Sequence, residues 1–171
     1  MTTTQSTPPA IEFANTVVAN RGRVRDGLDD WLARNGLVDG GQFHQLRDAV
    51  RALLAAATGD SPFAATDLAV VNAASAAAPC WPVLAPAANG ELAVHEESAG
   101  PDHTAEQLAA LARDAVRLLG GPHRPDLRAC QGPGCVQFFL KDHPRREWCG
   151  PSCGNRARAA RHYARHREQT A

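Results

Sequence analysis

Apolar positions recur at helical spacing through most of the first two thirds of the chain. Ile11, Ala14, Val17 and Val18 fall near one face and predict a helix over 11–20, with Asn15 and Thr16 as a polar pair inside it. A short polar linker over 21–27 follows. Asp29 reads as the N-cap of a helix through Trp31 and Leu32, closed by Asn35-Gly36. Phe43, Leu46, Ala49/Val50 and Leu53/Leu54 keep the 3.6-residue period and predict a longer helix over 42–57. Thr58-Gly59-Asp60-Ser61-Pro62 breaks it, and 64–77 reads as another helix through Leu68 and Val71.

The pattern then changes. Two short apolar runs, 81–86 and 91–95, flank Asn89-Gly90, a hairpin turn signal. Pro82 and Pro86 make the first run an edge or irregular strand. Asp102 or Thr104 caps a further helix to about Leu119, which Gly120-Gly121-Pro122 ends. Expected units are a leader over 1–10, a helical domain over 11–122 with a hairpin near 81–95, and a C-terminal module over 123–171.

Charge supports that last boundary. The whole chain is neutral, with 18 Lys+Arg against 18 Asp+Glu. Residues 1–123 hold 8 basic and 14 acidic side chains, residues 124–171 hold 10 and 4, so −6 faces +6. An acidic body with a basic tail suggests an anionic partner for the tail. With 44% hydrophobic but only 5% aromatic residues, the body is expected to be closely packed helix. No apolar run approaches the roughly 18 residues of a membrane span. The first ten residues lack the charged and apolar regions of a signal peptide and read as a disordered leader. A cytoplasmic location with no membrane contact is therefore expected, where thiols stay reduced.

Four of the five cysteines form the pattern C-x4-C, 13 residues, C-x3-C: Cys130, Cys135, Cys149 and Cys153. Two close pairs across a short spacer supply the tetrahedral donor set of one structural zinc ion. Gln131-Gly132-Pro133-Gly134 allows a tight wrap. Cys149 and Cys153, four apart, can share one side of a first helical turn, whose positive dipole end favours thiolate. The segment 127–153 has few large apolar residues (Val136, Phe138, Phe139, Leu140, Trp148), so metal binding would supply the missing folding free energy. Cys80 stands alone and reads as a core or half-exposed thiol. A four-thiolate sphere is filled, so a structural role is expected.

Beyond Cys153 the chain is rich in alanine and arginine, both strong helix formers. Arg158, Arg161, His162 and Arg165 fall at i, i+3, i+4 and i+7 and form one stripe, with Arg145 and Arg146 on the loop before and Arg156 at the start. Arginine forks suit phosphate. His162 and His166 add an i, i+4 pair with two readings, a metal-binding pair or, the preferred one, an extension of the basic face. The plain alternative for the stripe is a solvated helix or one docked on the acidic body.

The run Trp148-Cys149-Gly150-Pro151-Ser152-Cys153-Gly154-Asn155-Arg156 resembles the CGNR zinc finger, with Phe139 and Asp142 similar to its middle element. The family's Arg-Arg-Trp-Cys reads Arg146-Glu147-Trp148-Cys149 here. Phe13-Ala14-Asn15-Thr16 and Leu28-Asp29-Asp30-Trp31-Leu32, followed by Gly36-Leu37, resemble the mostly helical ABATE domain that precedes this finger. The resemblance implies a bacterial, stress-linked transcription regulator with one zinc on Cys130, Cys135, Cys149 and Cys153.

The expected fold is mainly α with a small β-hairpin, and a treble-clef-like four-cysteine finger at the C-terminal end. The expected function is zinc-finger DNA binding through Arg145, Arg146, Arg156, Arg158, Arg161 and Arg165, with the N-terminal domain sensing a ligand or forming a homodimer. The alternatives are a small-molecule binder or enzyme on the same scaffold, its pocket lined by Asn15, Thr16, Trp31, Trp81 and His95, and a protein-interaction adaptor. The sequence contains no Gly-rich phosphate loop, G-x-S-x-G or H-E-x-x-H motif.

Overall fold

The computed structural model describes residues 7–20, 22–38 and 41–169. Most of the expected leader, residues 1–6, lies outside the described residues. The first element is a six-residue helix, α1 (Pro9–Ala14), with proline in its first turn. It stops well short of the helix expected over 11–20. The Thr16 hydroxyl donates to the Phe13 carbonyl at 2.8 Å and Asn15 closes the last turn. Thr16, Val17 and Val18 are β-branched and favour extended backbone. They lead into an antiparallel ribbon of β1 (Val17–Asn20) and β2 (Arg23–Asp26). Gly22 takes φ +78° in its turn, where a side chain would be strained. The expected linker is thus mostly a strand.

Helix α2 (Leu28–Arg34) starts one residue before the expected cap. Asp26, not Asp29, receives the Leu28 N–H at 3.0 Å, and Asp29 sits in the first turn. Helices α3 (Gln42–Thr58) and α4 (Ala65–Ala76) follow the expected period, although α4 buries only Val71. Strands β3 (Cys80–Pro86) and β4 (Leu92–Ser98) form the expected ribbon about Asn89-Gly90, longer than expected, with Leu84 opposite Val94. Helix α5 (His103–Gly120) is capped by Asp102, whose carboxylate accepts the Ala105 N–H at 2.8 Å. A 3-10 turn (Arg124–Asp126) leads to the ribbon of β5 (Leu127–Ala129) and β6 (Phe138–Leu140), and α6 (Pro151–Gln169) ends the described chain.

The fold is mainly helical, as expected, with three two-stranded ribbons among the described residues. The core lies between α1, α2, α3 and α5. Phe13 sits at its centre with its ring 5.6 Å from that of Trp31 and 6.3 Å from that of Phe43. Ile11, Leu28, Leu46, Val50, Leu53 and Leu54 are fully buried around it. Two residues of the C-terminal ribbon, Leu127 and Phe138, belong to the same core.

That junction is tied by backbone-directed polar groups. Asn15 accepts the Phe138 N–H and donates to the Phe138 carbonyl, both at 2.9 Å, extending β6 by one side chain. Gln137 donates to the Val17 carbonyl at 2.6 Å. Arg51 reaches the Ala14 carbonyl at the negative end of α1 and the Val136 carbonyl, and lies over the Phe138 ring. Burial, with Arg47 nearby, draws the Arg51 guanidinium below its usual range.

Candidate metal centre

Strand alternation divides the two adjacent phenylalanines of β6 between two environments. Phe138 enters the body's core, and Phe139 enters a second small cluster with Cys130 and Cys153, edged by Cys135, Cys149 and Trp148. In that cluster all four ligand sulfurs lie within 4.8 Å of one another. The separations are 3.7 Å for Cys135–Cys149, 3.4 Å for Cys149–Cys153 and 3.6 Å for Cys153–Cys135. A tetrahedron with zinc–sulfur bonds of about 2.3 Å has edges of about 3.8 Å. A disulfide would need about 2.05 Å. The donor set therefore fits one zinc ion, and Cys130, Cys135, Cys149 and Cys153 would hold it.

Local backbone places each sulfur. In the 130–135 loop the Cys135 N–H bonds the Gly132 carbonyl at 2.9 Å, and Gly134 takes φ +66°. A Cβ on Gly132 would stand 2.9 Å from Cys153 Cβ and 3.3 Å from its sulfur, so only glycine lets the loop close on α6. Helix α6 begins at Pro151, which puts Cys153 in its first turn and Cys149 in the turn before it. The expected shared helical turn is thus split across the helix start, though both sulfurs still converge.

The thiols are electrostatically poised for a cation. Burial, reinforced by the neighbouring thiols, pushes Cys149 far above the usual range, and burial also raises Cys135. For Cys130 burial acts upward too, but N–H groups of Cys149 and Gly132 directed at its sulfur bring it below its ordinary value. Cys130, Cys135 and Cys149, this close together, cannot ionise at once without a compensating charge. Zinc supplies that charge when bound.

Two of the six arginines expected at a nucleic-acid face are directed inward instead. Arg146 donates to the Trp148 carbonyl at 3.3 Å, the Cys149 carbonyl at 3.2 Å and Asp142 at 2.8 Å, with its guanidinium 5.0 Å over the Phe139 ring. It clasps the loop that carries Cys149. Arg156 donates to the Cys153 sulfur at 3.0 Å. Arg145, Arg158, Arg161 and Arg165 are exposed. Arg158 donates to the Asn155 side chain within α6.

The five candidate pocket residues are not brought together. Asn15 is engaged with Phe138, and Thr16 is buried against Phe13 and Arg47. Trp31 packs on Phe13. Trp81 and His95 are exposed on the β3–β4 ribbon. The polar residues that prove structurally central, Arg47, Arg51 and Gln137, carried one readable signal: two arginines four apart within an apolar helical run.

A helical body joined to a four-cysteine finger with a ribbon and a closing helix defines a zinc-finger protein. Residues 7–122 match the ABATE family, described as "Putative stress-induced transcription regulator", and residues 127–166 match the CGNR zinc finger. The chain belongs to the ABATE family and carries a CGNR zinc finger. No curated protein matches it. Among the described residues no helix is long and apolar enough to cross a membrane.

Proposed function

We propose that the chain is a zinc-dependent regulator that binds the phosphate backbone of duplex DNA through the outer face of α6. The observation that carries this reading is the shallow groove along α6 formed by Arg158, Arg161, His162 and Arg165, all exposed. The zinc site anchors the first turn of the helix, while Arg145 adds charge from the preceding turn. Arg146 and Arg156 support the face by holding the metal site rather than by touching phosphate. The family description, with its reference to transcription, agrees with this reading.

The test is a titration of random duplex DNA at low and moderate salt. Binding is expected at low salt and should weaken steeply as salt rises. Each of Arg158→Gln, Arg161→Gln and Arg165→Gln should reduce the salt slope by about 1. Arg146→Gln should act through zinc retention instead. Absence of binding at low salt by zinc-loaded protein removes the proposal.

A ligand-sensing role for the body has one supporting observation. A cavity of about 160 Å³ lies where body and finger meet, bordered by Pro8, Asn15, Phe138, Asp142, Arg146 and Cys149. A small molecule seated there would touch both the β6 junction and the clasp on the zinc loop. Of the residues expected to line a pocket, Asn15 borders this cavity, and Thr16, Trp31, Trp81 and His95 do not.

A further inference from the structure

We propose that α6 carries a second metal site, made by His162 and His166, that takes a divalent transition-metal ion of the zinc, nickel or copper type. The two imidazoles are four residues apart and share one face of the helix. Their Nε2 atoms lie 3.2 Å apart, with ring centroids 4.4 Å apart. Two imidazoles on one tetrahedral ion, with bonds of about 2.0–2.1 Å, place their nitrogens about 3.3–3.4 Å apart. The rings already have the bite of a chelate. Both are exposed, so an ion reaches them from solvent.

Imidazole nitrogen selects borderline transition metals over magnesium or calcium, which fixes the class of ion. The site is separate from the finger: Cys153 and His162 are nine residues apart along one helix, about 14 Å at 1.5 Å per residue. Arg158, Arg161 and Arg165 border the groove that His162 also lines, and their charge opposes an added cation. The second ion is therefore weaker and more exchangeable than the four-thiolate zinc. Its remaining coordination positions are open to water or to an anion. When filled, it cross-links successive turns of the outer half of α6.

The test uses full-length protein already holding one equivalent of zinc, titrated with further zinc by calorimetry. A second equivalent is expected. His162→Gln and His166→Gln should each weaken it by about tenfold or more, and the double variant should abolish it. Cobalt spectroscopy of the thiolate site should stay unchanged in all three, since both side chains are exposed. Amide exchange in the outer turns of α6 should slow when the second equivalent binds. A proton shared between the rings would give the same spacing with no metal uptake. Failure of the wild type to take a second equivalent, or its retention by the double variant, overturns the proposal.

Discussion

The helical body and the finger hold their shapes by different physical means. The body closes on Phe13, with Ile11 of α1, Leu28 of α2 and Phe43, Leu46, Val50, Leu53 and Leu54 of α3 almost completely removed from water. The finger has Phe139 and Trp148, four sulfurs, and a loop clasped by one arginine. Burial stabilises the first, roughly 1.5–3 kcal/mol for each large apolar side chain. The second lacks enough apolar surface for that and depends on metal–thiolate bonds. The difference explains where the basic charge can go. Arginines near the ion become part of its support, whereas those farther along α6 remain turned to solvent.

Metal removal is the largest perturbation. Chelation withdraws about 10 kcal/mol or more of binding free energy from the finger alone. Far-UV circular dichroism should lose helix corresponding to α6, and the Trp148 emission should shift to the red. Trp31, half-buried against Phe13, should keep its environment because the α1–α3–α5 core does not contain the ion. Loss of both signals in one step would break the comparison, showing that the finger also holds the body together.

A sharper cut uses two neighbours on one strand. Phe138 and Phe139 are both nearly buried but belong to different clusters. Phe138→Ala should cost the body about 3–5 kcal/mol, read as a lower urea midpoint by Trp31 fluorescence. Phe139→Ala should leave that midpoint in place and weaken zinc retention against a competing chelator. Equal effects of the two variants on both readouts would mean that the division by strand face does not matter.

The legible parts of the sequence were those governed by period and spacing. The apolar repeat over 43–54 marked α3, Asp102 marked the cap of α5, Asn89-Gly90 marked the ribbon turn, and the cysteine spacing marked the metal site. Illegible parts depended on what a residue meets from far along the chain. Asn15 looked like a polar intrusion into a helix face and is instead the partner of Phe138, 123 residues away. Arg146 looked like a free cation because no local pattern distinguishes a guanidinium that reaches phosphate from one that closes a loop on two carbonyls. The helix expected over 11–20 failed where β-branched residues outweighed a face that happened to align.

The smallest predicted effect concerns the half-buried ion pair between Arg47 and Asp26 in the body. Arg47 is 3% exposed and holds Asp26 with two bonds of 2.7 Å, with Asp48 at 2.6 Å and Thr16 at 3.4 Å. Asp26 ends β2 and also accepts the Leu28 N–H, so this pair joins the β1–β2 ribbon to α3. The hydrogen bonds from Arg47 lower the Asp26 carboxyl to about 2, against the opposing effect of its partial burial. An unfolded carboxyl near 3.9 takes up its proton first, so the unfolded state binds more protons between about 4 and 2. The contribution is complete above that window and disappears as pH falls through it. Because the Asp26 side chain is 47% exposed, solvent screening holds it to about 1 kcal/mol. Acid also strips zinc from thiolates, so the informative quantity is the difference between wild type and Asp26→Asn in the Trp31-detected unfolding of the body. That difference should be constant above pH 4 and shrink toward zero near pH 2. A difference that does not change with pH would mean that the fold tolerates a neutral partner for Arg47, and that the pair acts through hydrogen-bond geometry alone.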